Sequence, residues 1–180
     1  MALLNDDDAL IARVAGLGDA LRAKGLMLCS AESCTGGLFA ALCTSVAGSS
    51  DWFERGFVSY SNAAKTELLG VDEPLIRAHG AVSEPVARAM AEGALSQGAA
   101  DVALAVTGIA GPGGATPGKP VGLVWLALAW RDAQGAMQVD AEQRVLPGDR
   151  TAVRSATVQW GLERLLALAP RLVARGQARR

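Results

Sequence analysis

With 180 residues, 51% of them hydrophobic and 19% charged, the chain is long enough for one domain with a sizeable core and too apolar for global disorder. A formal net charge of −1 removes any general electrostatic case for nucleic acid, and the longest apolar run, residues 121–130, is too short to cross a bilayer as a helix, so neither a nucleic-acid nor a membrane partner is expected. One histidine, His79, and three cysteines, Cys29, Cys34 and Cys43, with no CxxC pair, cannot easily assemble a zinc site, so no metal is expected, and the odd cysteine count fits a reducing cytoplasm better than a disulfide framework.

The first eight residues are acidic at their end and lack the apolar stretch of a signal peptide. Leu10, Val14, Leu17 and Leu21 repeat at helical spacing and predict an amphipathic helix over 6–24, stopped by Gly25. Residues 26–31 read as a buried strand. Residues 32–37, Glu-Ser-Cys-Thr-Gly-Gly, form a turn that opens a second helix over 38–46, broken by Gly48-Ser49-Ser50. A strand over 56–61 precedes a helix containing 62–69, and another helix spans 84–97, with Ser83 as its cap and Pro85 in its first turn. Residues 101–107 read as a strand, followed by the glycine- and proline-rich stretch 108–120. Strands over 121–130 and 137–145, joined through 131–135, make an antiparallel hairpin, and Asp149 caps a last helix reaching about 168. The whole chain, 1–180, reads as one domain with its core at about 10–168 and a basic tail at 170–180. The expected architecture is an α/β fold, a three-layer α/β/α sandwich around a mixed, mainly parallel sheet with a C-terminal antiparallel hairpin.

Three segments hold candidate chemistry. In the first, Ser33 sits between an apolar strand and a glycine-rich helix start, a placement that lifts a hydroxyl clear of a sheet and points helix N–H groups at a developing oxyanion. The pattern is not G-x-S-x-G, the same residues serve commonly as plain helix caps, and Cys34 is a rival nucleophile. In the second, Ser59-Tyr-Ser-Asn-Ala-Ala-Lys65, the lysine is the remaining plausible base, since His79 lies in a polar stretch where a surface role is expected. Tyr60, the only tyrosine, could relay a proton; a strand-end tyrosine and a solvated lysine are the bland alternative. In the third, Thr107-Gly-Ile-Ala-Gly-Pro-Gly-Gly114, glycines let backbone N–H groups approach an anion, although neither a P-loop nor GxGxxG is present.

Six blocks fall in order: Ala31-Glu-Ser-Cys-Thr-Gly-Gly37; Gly48-Ser-Ser50 with Trp52-Phe-Glu-Arg-Gly56; Tyr60-Ser-Asn-Ala-Ala-Lys65; His79-Gly-Ala-Val-Ser-Glu-Pro85; Thr107-Gly-Ile-Ala-Gly-Pro112; and Lys119-Pro-Val-Gly122. Together they resemble the C-terminal domain of the competence/damage-inducible protein CinA and its stand-alone form, the nicotinamide-nucleotide amidohydrolases, over roughly residues 10–167. The resemblance implies an α/β/α fold and hydrolysis of nicotinamide mononucleotide to nicotinic acid mononucleotide and ammonia, in pyridine nucleotide recycling, by serine and lysine without metal or cofactor. Larger CinA proteins carry a further N-terminal domain for which this chain leaves no room, so that domain's activity is not expected.

Carried over, the resemblance makes Ser33 the nucleophile, Lys65 the general base and Tyr60 its helper. Glu32, Cys34, Thr35, Gly36, Gly37, Ser50, Thr107, Gly108 and Arg150 become candidates for substrate contact. Ser50 stays open as a binding, proton-relaying or nucleophilic serine. The phosphate has three candidate sites: the N–H groups of Gly36 and Gly37, the loop 108–114, and the helix start beside Arg150. A homodimer is expected, with 121–130 as a strand that could pair across it. The competing functions are a nucleotide-binding module without turnover and an interaction protein of DNA uptake or damage response.

Overall fold

The computed structural model describes residues 8–174. The expected helix start at 6 and the tail beyond 174 lie outside the described residues. In chain order the elements are α1 (Asp8–Lys24), β1 (Leu28–Glu32), α2 (Leu38–Cys43), a 3-10 turn (Ser49–Asp51), β2 (Phe53–Val58), α3 (Asn62–Leu69), α4 (Glu73–His79), α5 (Glu84–Gln97), β3 (Val102–Gly108), β4 (Leu123–Arg131), β5 (Met137–Val145), α6 (Arg150–Leu168) and a closing 3-10 turn (Ala169–Arg171).

The five strands form one sheet in the order β2-β1-β3-β4-β5. β1 pairs parallel with β2 and β3, whereas β4 runs antiparallel to both β3 and β5, so β4 alone opposes the other four. Strand alternation sorts the side chains by size. Leu28, Val102, Leu104, Val106, Val124, Leu126 and Leu128 face the layer of α1, α2 and α6. Cys29, Ala31, Ala103, Ala105, Ala127 and Ala129 face the other layer, where their small side chains let α5 lie close against the sheet. That division explains how a chain so poor in aromatics fills two cores.

The β1–β2 connection, carrying α2, covers one face, and the β2–β3 connection, carrying α3 to α5, covers the other. Such a change of face opens a crevice at the carboxyl ends of the strands between them, where ligands of α/β sheets bind.

Several local expectations shift. The helix expected over 38–46 ends at Cys43, because the Thr44 and Ser45 hydroxyls donate back to the carbonyls of Ala40, Ala41 and Leu42. β2 begins at Phe53, and residues 59–61 leave the strand because Ser61 turns to cap α3, its side chain accepting from the Ala64 N–H. Ser83 is the residue at the α5 cap, but its hydroxyl donates to the Gly80 carbonyl and takes no helix N–H. α4 was not expected; only Ile76 of its seven residues is buried, too little to leave a periodic pattern. The strand expected over 121–130 starts at Leu123, after Gly122 turns at φ 89°. It is also an internal strand, hydrogen-bonded on both sides by β3 and β5, so it has no free edge to pair across a dimer.

Candidate active site

Ser33 follows β1 directly, its N–H donating to the Val106 carbonyl of β3 at 3.0 Å. The chain then reverses through Gly36 and Gly37, at φ 59° and 91°, into α2. Opposite, Ser61 caps α3 and so fixes Lys65 one turn into that helix. The lysine points inward, only 1% exposed, and its Nζ lies 3.0 Å from Ser33 Oγ, 2.9 Å from the Ser59 carbonyl and 3.5 Å from the Tyr60 carbonyl. Burial lowers the Lys65 pKa below the ordinary lysine value, against a smaller opposing influence from Cys34. A neutral amine has two N–H groups and one lone pair. In that form two carbonyls accept from the N–H groups, and the Ser33 contact, in which the ammonium donates to Oγ, reverses so that the O–H donates to the lone pair.

The other expected residues divide. Cys34 is buried and its thiol is pushed up to about 12, chiefly by burial, so it is no thiolate at neutral pH and loses its rivalry with Ser33. Glu32 does not face an open site. It is fully buried, and its carboxylate accepts from the N–H groups of Gly37, Phe39 and Ala40. Gly36 N–H is likewise taken, by the Ser33 carbonyl. Thr35 is enclosed, with its hydroxyl unpartnered among the described residues and its carbonyl bound by Arg154 at 2.7 Å. Thr107 is buried and donates its hydroxyl to the Ala81 carbonyl. A Cβ at Gly108 would stand 2.7 Å from Val124 Cγ2 and 2.8 Å from the Leu123 carbonyl oxygen, so close strand packing already accounts for that glycine.

Ser50 is not brought to Ser33 within one chain. It is exposed in the 3-10 turn before β2, beside the start of β1, where Leu28 N–H reaches the Trp52 carbonyl. The five residues of β1 put roughly 17 Å between the two ends of the strand. His79 closes α4 and is exposed.

Tyr60 is 58% exposed, and its hydroxyl meets Arg150, whose Nη2 donates to it at 2.9 Å. What Tyr60 offers Lys65 is its backbone carbonyl. Arg150 also donates to the Gly111 carbonyl at 3.0 Å and borders a cleft of about 480 Å³ lined by Ala110, Gly111, Pro112, Val121, Gly148, Asp149 and Thr151. A linked path therefore runs from Ser33 through Lys65, Tyr60 and Arg150 to that cleft. A larger cavity, about 830 Å³, lies around Leu26, Asp101 and Arg131 at the opposite end of the sheet and holds none of these groups.

Arg154 is the residue that sequence reasoning missed. It stands one helical turn beyond Arg150, and a second arginine at i+4 was the available signal. Among the described residues, no group of three or more His, Cys, Asp or Glu side chains gathers to hold a metal, and no helix is long and apolar enough to cross a membrane.

The model of the CinA C-terminal domain matches residues 12–169. The chain belongs to this family. It is 51% identical over 150 residues to the nicotinamide-nucleotide amidohydrolase PncC of Enterobacter agglomerans, covering 83% of this chain and 89% of that one. It is 48% identical over 149 residues to the enzyme of the same name from Escherichia coli K12, covering 83% and 88%. A CinA-like protein of Akkermansia muciniphila is 52% identical over 146 residues, but there this chain spans only 34% of the relative's length. Among solved structures, the competence/damage inducible protein CihA from Agrobacterium tumefaciens superposes with a TM-score of 0.84 at 44% identity, covering 93% of this chain and 99% of that one. This CinA-domain fold agrees with the α/β/α expectation.

Proposed function

We propose that this CinA-domain chain hydrolyses the carboxamide of nicotinamide mononucleotide to nicotinic acid mononucleotide and ammonia, with Ser33 as nucleophile and Lys65 as base. The observation that carries the reading is the 3.0 Å approach of a buried lysine, its pKa lowered, to a serine hydroxyl at the carboxyl end of β1. The amidohydrolase relatives, matched along most of both chains, support the substrate class.

In this mechanism Ser33 Oγ attacks the carboxamide carbon while Lys65 takes its proton. The tetrahedral intermediate breaks its C–N bond, and Lys65 returns the proton to the departing nitrogen as ammonia. Water then attacks the acyl ester, Lys65 takes its proton, and the C–O bond to Ser33 breaks as the proton returns to that oxygen. No metal or cofactor enters the proposed steps.

Two of the three anion candidates are weakened by their present partners. Glu32 and the Ser33 carbonyl use the Gly37 and Gly36 N–H groups, and Asp149 caps α6, accepting from Ala152 N–H. The remaining choice for the phosphate is the loop side of the cleft between Gly111 and Arg150, which Asp149 also lines, its carboxylate engaged by the Ala152 N–H. There the guanidinium, held by two oxygens, keeps donors to spare, and Gly111, Gly113 and Gly114 N–H groups donate to no acceptor among the described residues.

A pure binding module or interaction protein has no use for a lysine buried against a serine hydroxyl, which costs stability and serves only chemistry. The proposal includes a cytoplasmic setting, in keeping with three free buried cysteines, and a role in pyridine nucleotide recycling. It also includes a homodimer, with the edge strand β5 replacing β4 as the strand open to pairing; light scattering measures it. The deciding experiment is ammonia release from nicotinamide mononucleotide by the purified chain. Absence of release with folded protein overturns the reading.

A further inference from the structure

Glu32 is the only fully buried acidic side chain among the described residues, and it stands one position before Ser33. Its Oε2 accepts from Gly37 N–H and Phe39 N–H, each at 3.0 Å. Its Oε1 accepts from Ala40 N–H at 2.9 Å and from the Ser30 hydroxyl at 3.2 Å. Four donors thus converge on one carboxylate.

Capping alone does not explain this arrangement. A six-residue helix is ordinarily capped by a Ser, Thr, Asp or Asn at the residue before it, which satisfies one N–H. Here that position is Gly37, with φ 91° and no side chain. The cap comes instead from the end of β1, so it ties the strand to the start of α2. The Glu32 carbonyl also accepts from Ser59 N–H, in the segment that holds Lys65. The turn between, residues 33–36, is clamped at both ends.

The clamp decides which N–H groups are available. Those of Gly37, Phe39 and Ala40 are taken by Glu32, Gly36 N–H by the Ser33 carbonyl, and Leu38 N–H by the Thr35 carbonyl. Thr35 N–H is enclosed, and the Cys34 N–H donates to no oxygen among the described residues. Cys34 directly follows the nucleophile, where an oxyanion donor stands in hydrolases whose nucleophile occupies a strand–turn–helix.

We infer that Glu32 is a positioning residue: by holding the α2 N-terminus, it fixes the turn so that the Cys34 N–H group receives the oxyanion formed on attack by Ser33. This inference rests on the proposed amide hydrolysis for the identity of the nucleophile. An oxyanion exists only in the transition state and intermediate, so loss of the clamp falls on kcat and spares KM.

The test uses the full chain carrying Glu32→Gln or Glu32→Asp, each checked for fold by circular dichroism and melting. Gln replaces an acceptor oxygen with an NH₂ that confronts N–H donors. Asp keeps the charge but is one methylene short, by about 1.5 Å, and carries the test alone if the Gln variant does not fold. For nicotinamide mononucleotide, kcat falls about 10²-fold with KM within about threefold of wild type. The pH midpoint of kcat/KM stays in place, because burial is the main cause of the lowered Lys65 pKa and the substitutions leave that burial unchanged.

A fluorophosphonate probe that modifies Ser33, followed by mass spectrometry, reads the same donor without the amide substrate, and labelling slows about 10²-fold. If wild type leaves the mononucleotide intact yet labels Ser33 rapidly while the variants label slowly, the substrate reading fails and the positioning role stands. The role is overturned by a folded variant that labels like wild type or keeps wild-type kcat, by a loss confined to KM, or by a wild type whose Ser33 the probe does not label.

Discussion

Lys65 Nζ and Ser33 Oγ stand 3.0 Å apart although 32 positions separate them in sequence. β1 delivers the serine and the cap of α3 delivers the lysine, so the pair exists only when both faces of the sheet are assembled. Ser50, at the other end of the sheet, shares none of this.

Ser33→Ala is expected to lower kcat by at least about 10³-fold, because the attacking atom is gone. The fold survives, since only one hydroxyl, in the turn after β1, is lost. Ser50→Ala, in an exposed turn, keeps kcat within about threefold of wild type. Ammonia release and melting temperature check both, and the reverse pattern would exchange the two serines.

Lys65 sets the pH dependence. The neutral amine is the active form, and burial lowers its pKa, so kcat/KM rises with pH through an ionisation below the free-lysine value of about 10.4. Stability moves in the same sense. Between the lowered folded value and the unfolded one, the unfolded chain binds more protons, so wild-type stability gains up to about 1.4 kcal/mol per pH unit as pH rises. Lys65→Met lacks that slope and is inactive; Lys65→Arg, permanently charged, is inactive too. Urea unfolding from pH 7 to 10 measures the slope. Equal slopes in wild type and Lys65→Met would show a solvated lysine.

Much of the fold was legible because it obeys local rules. Leu10, Val14, Leu17 and Leu21 are all buried along α1, Asn62–Leu69 and Met137–Val145 match the expected elements, and Asp149 caps α6 through Ala152 N–H. α4 escaped because one buried residue gives no period. Ser33 and Lys65 could be named from sequence, but not their contact. The role of Glu32 was hidden for the same reason: a side chain from a strand end reaching the start of a helix is a three-dimensional fact. The place of Ser50 was hidden because order along the chain does not say which end of a sheet a turn occupies.

Gly93 is a test of how α3 is seated. In a helix interior Ala is favoured over Gly by about 1 kcal/mol, so propensity alone makes Gly93→Ala stabilising. A Cβ there would lie 1.9 Å from the Leu69 carbonyl oxygen at the end of α3, a backbone atom that cannot rotate away. Overpacking of this kind typically costs about 1–3 kcal/mol and here outweighs propensity. Gly93→Ala is therefore expected to lower the melting temperature, and to lower kcat by displacing the helix that carries Lys65. A variant as stable as wild type would show that α3 and α5 are not seated this closely.

Arg150 separates phosphate recognition from catalysis. Its guanidinium bridges the Gly111 carbonyl and the Tyr60 hydroxyl, beside the cleft assigned to the phosphate and away from the Ser33–Lys65 pair. A charge-assisted hydrogen bond contributes about 1.5–3 kcal/mol, so Arg150→Met is expected to raise KM for nicotinamide mononucleotide roughly 10- to 100-fold. The riboside, which has no phosphate, loses nothing by the substitution. Tyr60→Phe removes one tether of the guanidinium but keeps the carbonyl that faces Lys65, so it produces a smaller KM effect of the same kind and leaves the pH midpoint in place. A fall in kcat on both substrates with a shifted midpoint would instead make the Tyr60 hydroxyl a participant in proton transfer. Equal losses on mononucleotide and riboside in Arg150→Met would remove the phosphate from that cleft.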